Sequence, residues 1–186
     1  MTPATCQRHR TFNGFTGIEL LVVLAIAAVM ITLAMPSMTN LLQGMRTQGE
    51  ANALAQDINL ARSSALQTGL TTTLCSSRSG TVCDGVDGSW QAGWLVFTDP
   101  TSSQTFSADN MLRREQAFSN TDTLQTTPMI NSISFNRSGF AINLPANTLL
   151  RTATTPDNPD AVRCVVIQAT RRATVQSPSR NPGTCQ

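Results

Sequence analysis

The chain opens with a polar segment and then loses its polar residues almost completely between Phe15 and Met35. Glu19 is the only charged side chain in this run of 21 residues. A helix of that length rises about 30 Å, which is the thickness of the hydrocarbon core of a bilayer. The pattern predicts a membrane-spanning helix over 15–35. Because Arg8 and Arg10 precede it, the N-terminus is expected on the cytoplasmic side and the remaining chain on the other side.

Apolar residues then recur with a helical period. Leu54, Ile58, Ala61 and Ala65 follow one another at steps of four, three and four residues, which places them on one face of a helix. This stripe predicts an amphipathic helix over 36–68 that continues the apolar segment and ends at Gly69. The charged residues of the stretch are expected off the stripe, exposed to solvent or to other chains: Arg46, Glu50, Asp57 and Arg62.

Beyond Gly69 the pattern changes to short runs rich in β-branched and aromatic residues, separated by turn-forming dipeptides. The predicted strands are 70–75, 90–99, 111–118, 130–135, 140–144 and 163–169. The polar stretches 98–109 and 146–160 are predicted as loops. The fold class is therefore α+β, with a long N-terminal helix followed by an antiparallel β-sheet globular domain over 69–186.

Cysteine spacing predicts how the β-rich part is cross-linked. Four cysteines follow the apolar segment: Cys75, Cys83, Cys164 and Cys185. Four cysteines allow three pairings, and Cys75–Cys83 with Cys164–Cys185 is favoured because short loops close at a lower entropic cost. Disulfides match an oxidising compartment such as the periplasm. Zinc binding is the weaker alternative, because the spacings are long and the only histidine, His9, lies near the N-terminus.

Two acidic turns are candidates for a calcium site. Asp84-Gly85 and Asp87-Gly88 could suggest a calcium loop, but two acids without the full ligand series indicate turns. No metal site and no cofactor are predicted.

The stretch from Gly14 to Glu19 resembles the cleavage and assembly signal of type IV prepilins and type II secretion pseudopilins. The resemblance implies that a prepilin peptidase cuts after Gly14, removes residues 1–14 as a leader and methylates the new N-terminal Phe15. It also implies that Glu19 neutralises the Phe15 ammonium of a neighbouring subunit in a filament. The expected location is the bacterial inner membrane, with a periplasmic head domain, and then a pilus or pseudopilus filament.

Four later segments resemble the GspH/FimT group of minor pilins, which includes FimU-like members: 60–65, 90–99, 133–139 and 163–170. The resemblance implies a minor type IV pilin, a structural subunit that helps to prime or cap a pilus. The alternative within the same group is a minor pseudopilin of type II secretion. Either role implies other major and minor pilins or pseudopilins as partners, with no small-molecule substrate. An anchored binding protein that never polymerises is the remaining alternative.

Some members of this group bind DNA during natural transformation, through a Gly-Arg-x-Arg motif after the last strand. Here only Arg172 matches an arginine of that motif, since Arg171 replaces the glycine and Thr174 the second arginine. Arg171, Arg172 and Arg180 still form a cationic tail without acids, and phosphate contacts need charge rather than a set sequence. Double-stranded DNA is therefore a candidate partner. The alternative is that these arginines are solvated in a terminal loop.

Composition argues against an enzyme. All 13 cationic residues are arginines, and the chain has no lysine and no tyrosine. Without the leader, which holds Arg8 and Arg10, 11 arginines face 11 acidic residues, so global charge does not indicate nucleic-acid binding. The leader also holds His9, and paired cysteines leave no thiol nucleophile. Acid–base work would fall to Asp and Glu alone, no pair of which stands out, so no catalytic residue is predicted.

Overall fold

The computed structural model describes residues 14–118, 121–142, 144–146, 148–167, 172–179 and 185, with side chains omitted for 33–37. One long helix, α1 (Gly17–Thr68), is followed only by strands and two short 3₁₀ turns in this part of the chain. The predicted α+β class, a long N-terminal helix ahead of an antiparallel β-sheet domain, is confirmed.

The strands form two antiparallel sheets. The first has the order β3-β2-β1-β5-β6, with β1 (Thr72–Ser76), β2 (Trp94–Thr98), β3 (Met111–Glu115), β5 (Ser132–Phe135) and β6 (Ala141–Ile142). The second has the order β4-β7-β8-β9, with β4 (Thr123–Thr127), β7 (Leu149–Ala153), β8 (Arg163–Ile167) and β9 (Ala173–Gln176). The 3₁₀ turns are Ala108–Asn110 and Pro159–Ala161.

The main core lies between α1 and the inner faces of both sheets. The predicted stripe is confirmed, because Leu54, Ile58, Ala61 and Ala65 are all fully buried there. The first sheet contributes residues such as Trp94 and Phe135, and the second contributes Leu124, Leu150 and Val165. Burying large aliphatic and aromatic side chains stabilises a fold by about 1.5–3 kcal/mol each, so this helix face holds the two sheets together.

Each sheet also has a small apolar cluster on its other face. Cys75, Leu95 and Phe97 pack with Phe106 behind the first sheet. Val162, Cys164 and Cys185 pack with Leu149 and Val166 behind the second. Each disulfide therefore covers the outer face of one sheet.

The strand predictions need three corrections. The strand predicted over 90–99 begins only at Trp94, because Gly93 has φ +112° and approaches the carbonyl of Glu115 too closely for a side chain. β7 lies within the predicted loop 146–160. β4 and β9 are absent from the predicted strands, since their short sequences, TLQTT and ATVQ, lack an apolar run.

The chain divides into two compact units, one ending at Thr39 and one running from Asn40 to Gln186. The second unit contains the last 29 residues of α1 together with all nine described strands. Among the described residues, no helix combines the length and apolar character that a membrane span requires.

Candidate functional site

The proposed processing and assembly residues all lie in the first unit. Gly14 and Phe15 precede α1, and Phe15 is 82% exposed. Glu19 occupies the first turn of α1, where its backbone N–H donates to the hydroxyl of Thr16 at 3.4 Å. An acidic side chain in the first turn of a helix is favoured by the helix dipole.

The part of α1 around and after Glu19 has an exposed apolar surface. Large apolar side chains along this part of α1 are more than half exposed: Ile18, Leu20, Leu21, Val22, Val23, Leu24, Ile26, Val29, Met30 and Ile31. Contiguous exposed apolar surface of this extent marks a site that contacts protein or lipid.

Asp57 departs from the prediction that charged residues of α1 are exposed. It is 1% exposed and accepts a hydrogen bond from the indole N–H of Trp94 at 2.8 Å. Arg113 of β3 approaches the other carboxylate oxygen at 3.3 Å. Burial raises the pKa of Asp57, and the Trp94 bond and the Arg113 charge oppose that rise. The carboxylate joins the helix to two neighbouring strands.

A second ionic contact ties α1 to the second sheet. Arg46 donates two hydrogen bonds to Asp122, at 2.6 and 2.8 Å, and the Asp122 side chain is fully buried. This bidentate geometry is the strong form of an arginine–carboxylate pair. The prediction of a solvated Arg46 is therefore incomplete, since its guanidinium ends in an intramolecular pair.

The structure has the local disulfide pairing that the sequence favours. Cys75 is joined to Cys83, and Cys164 is joined to Cys185. Within the short loop, Asp84 accepts hydrogen bonds from the backbone N–H groups of Arg78 and Ser79, and the Arg78 bond is the main cause of the lowered pKa of Asp84. Asp84 thus organises a turn, and the described residues contain no cluster of three or more metal-binding side chains.

Of the three candidate DNA-binding arginines, only Arg172 falls within the described residues. Arg171 and Arg180 lie outside them. Arg172 is exposed immediately before β9 and lines a cavity of about 410 Å³ together with Arg62 of α1. Sequence alone does not indicate that these two arginines are neighbours, because 109 residues separate them along the chain.

Both the sequence and the structure of this chain are similar to those of known proteins. Residues 50–171 match a family model described as type II transport protein GspH. No match is found among curated proteins. The structure is similar to that of type IV minor pilin FimU of Pseudomonas aeruginosa (strain PAO1) in space group P21, with TM-score 0.58 and 18% identity. That alignment covers 76% of this chain and 96% of the other.

A second crystal form of the same FimU protein, in space group P65, gives a similar result. Its TM-score is 0.54 with 20% identity, covering 75% of this chain and 99% of that one. At these identities the likeness concerns the fold.

Proposed function

The chain belongs to the GspH family of minor pilins and pseudopilins, and from this membership we propose that it is a minor type IV pilin that helps to prime or cap an envelope-spanning filament. The Gly14–Glu19 signal carries the proposal, because it stands directly ahead of the exposed apolar part of α1. The signal assigns Gly14 and Phe15 to cleavage and methylation by prepilin peptidase. The apolar segment 15–35 anchors the chain in the inner membrane before assembly, with the head domain in the periplasm.

Glu19 has the central role in assembly. In a filament its carboxylate meets the Phe15 ammonium of the neighbouring subunit, so that both charges are compensated inside an apolar bundle. Removing one partner of a buried ion pair costs about 3–5 kcal/mol, because the other charge stays buried and unpaired.

The test is the incorporation of Glu19→Ala into filaments. We expect at least about a tenfold lower amount of the variant in sheared filaments, with an unchanged amount in the membrane fraction. Asp109→Ala removes an exposed carboxylate of the head and serves as the control. Wild-type incorporation of Glu19→Ala would refute the assembly role and favour an anchored protein that does not polymerise.

The second candidate is a minor pseudopilin of type II secretion, which the description of the matching family favours. Deletion of the gene separates the two roles. Loss of surface pili with normal export of secreted enzymes supports the pilus, and the reverse result supports the secretion system.

DNA capture is a further role to test, because Arg172 is exposed at the start of an acid-free tail. The experiment titrates duplex DNA against the full chain in detergent at two salt concentrations. Its comparison is the variant with Arg171, Arg172 and Arg180 changed to Ala. Salt-sensitive binding that the variant loses would support DNA capture. Absence of binding at low salt would leave the structural role alone.

A further inference from the structure

A basic cavity lies near the C-terminal end of α1. Its lining consists of Asn59, Arg62, Ser63 and Leu66 from the helix and Arg172 from the segment before β9. The volume of about 410 Å³ is enough for a side chain of a partner protein. All of these residues belong to the second unit.

Hydrogen bonds position the side chain of Arg62 and the backbone beside Arg172. The side-chain amide of Asn59 donates to the carbonyl of Ala173 at 3.4 Å and accepts from its N–H at 3.3 Å, which fixes the backbone beside Arg172. Arg62 donates from Nε to the carbonyl of Gly139 at 3.1 Å. That bond leaves the two terminal nitrogens of Arg62 without an acceptor among the described residues.

No acidic side chain is among the described residues that line the cavity. The segments 58–68, 133–142 and 161–186 also contain no Asp or Glu. Two guanidinium groups beside one cavity repel each other unless an anion lies between them. The site therefore fits a carboxylate, which accepts hydrogen bonds from arginine in a forked geometry.

Exposed apolar side chains lie in the cavity lining, at Leu66, and next to Gly139 in the chain, at Phe140. Leu66 is 50% exposed, and its side chain packs so closely on Gly139 that a Cβ there would lie 3.1 Å from it. Phe140, the next residue, is 57% exposed. Arginine combined with exposed aromatic and aliphatic groups is typical of protein interfaces, whereas a phosphate backbone needs charge and hydrogen-bond donors.

We infer that this basic–apolar pocket, formed by Asn59, Arg62, Ser63, Leu66 and Arg172, receives an acidic side chain, flanked by an apolar one, from an adjacent subunit of the filament. The inference rests on the proposed function, since it takes the partner to be another pilin. Arg62 and Arg172 bind the carboxylate, and Leu66 and Phe140 contact the apolar neighbour. The pocket thus makes a contact between the head domains of two subunits, which is separate from the Glu19 contact of the apolar segment.

The experiment places a photo-crosslinking amino acid at position 66 of the full chain in assembled filaments. We expect a covalent adduct with another filament subunit, at a peptide that contains Asp or Glu. The double variant Arg62→Glu with Arg172→Glu is expected to reduce the adduct at least about fivefold, because opposite charges at an interface become like charges. Reversing the identified acid to Arg in the partner should then restore it.

Two further variants keep the outcome interpretable. Ser63→Asp adds a negative charge to the pocket without removing the Arg62 bond to Gly139, and it should also reduce the adduct. Arg137→Glu is the matched control, because Arg137 is exposed on the neighbouring turn and does not line the cavity. Its adduct should equal that of the wild type.

Several results would overturn the inference. They are an adduct with nucleic acid instead of a subunit, an adduct unaffected by the double variant and by Ser63→Asp, or equal loss with Arg137→Glu. Filaments that contain the chain but give no adduct with another subunit would also refute it while leaving the proposed function intact. Absence of the wild-type chain from filaments would instead refute the proposed function.

Discussion

At the scale of single residues, Asp57 determines how α1 meets the first sheet. Its carboxylate accepts from the indole N–H of Trp94, and both residues are almost completely inaccessible to solvent. A buried donor without an acceptor costs about 1–3 kcal/mol, so this one bond decides whether Trp94 can remain in the core. Arg113 adds a charge that favours the ionised carboxylate.

The first prediction concerns this bond. Asp57→Ala should lower the free energy of unfolding by about 2–3 kcal/mol at neutral pH, because it leaves the Trp94 N–H unpaired and opens a cavity. Asp57→Asn should cost less, since an amide oxygen can still accept from Trp94. Denaturant unfolding of the full chain in detergent, followed by tryptophan fluorescence, measures both variants. Equal losses for Ala and Asn would show that the hydrogen bond is not the main contribution.

The second prediction is a pH dependence. Burial raises the pKa of Asp57 above its ordinary value, so the native state binds the proton more tightly than the unfolded chain does. The stabilising contribution of Asp57 to the free energy of unfolding is therefore greatest below the unfolded pKa of about 3.9. It is lost as pH rises through the folded pKa. The stability of the wild type relative to Asp57→Asn should therefore fall as pH rises above the unfolded pKa of about 3.9. Parallel stability curves for the two proteins would contradict the raised pKa.

The prediction that Asp57 is exposed is wrong for a simple physical reason. Residue 57 follows Leu54 by three positions and precedes Ala61 by four, so it lies within the apolar stripe of the helix. The prediction of an exposed Asp57 rested on its charge rather than on its position, because a carboxylate is normally buried only with partners. Those partners, Trp94 and Arg113, come from strands whose register the sequence does not reveal. The Gly14–Glu19 signal, by contrast, is recognised from the order of neighbouring residues in the sequence alone. Its processing and assembly roles stay predictions.

At the scale of elements, the two disulfides support different parts of the second unit. Cys75–Cys83 closes a turn beside β1, whereas Cys164–Cys185 links β8 to the end of the chain across 21 positions. Cys164 and Cys185 are both fully buried with Val162. Cys75 is buried in a comparable cluster, so the difference between the two links is that the longer one restrains more of the unfolded chain.

The third prediction follows from this difference. Replacing Cys164 and Cys185 together with Ser should lower the free energy of unfolding by about 3 kcal/mol, and more than the same change at Cys75 and Cys83. The measurement is thermal unfolding of both double variants in parallel. A larger loss at the short loop would indicate that its turn contributes more than loop length predicts.

Helices and strands were predictable to different degrees. The end of α1 and its buried stripe follow from periodicity within one segment, and both agree with the structure. β4, which is rich in threonine, pairs with β7, and the two strands carry only two and three buried residues in five. Such strands are stabilised by their cross-strand partners rather than by their own composition, so a single segment holds too little information to identify them.

At the scale of the whole molecule, a minor pilin should occur at a low number of copies per filament. A subunit that primes or caps a filament is needed a few times for each filament, whatever the filament length. We expect the chain to be scarce relative to the major subunit in sheared filaments, as measured by quantitative mass spectrometry. The ratio should fall as filaments lengthen. A constant ratio near one would identify the chain as a bulk subunit.

The order of strands along the chain has a consequence for how the molecule is made. β4 belongs to the second sheet, yet it lies between β3 and β5, which belong to the first. A chain that emerges from its N-terminus can complete the first sheet once residue 142 is available. On one edge β4 bonds to the earlier segment 88–90, but its other edge must wait until β7 follows, and the second sheet closes only with β8 and β9. Folding of the second sheet is therefore delayed until residue 176 has been synthesised, and during that interval the edge of β4 that later pairs with β7 stays open, where a chaperone could shield it.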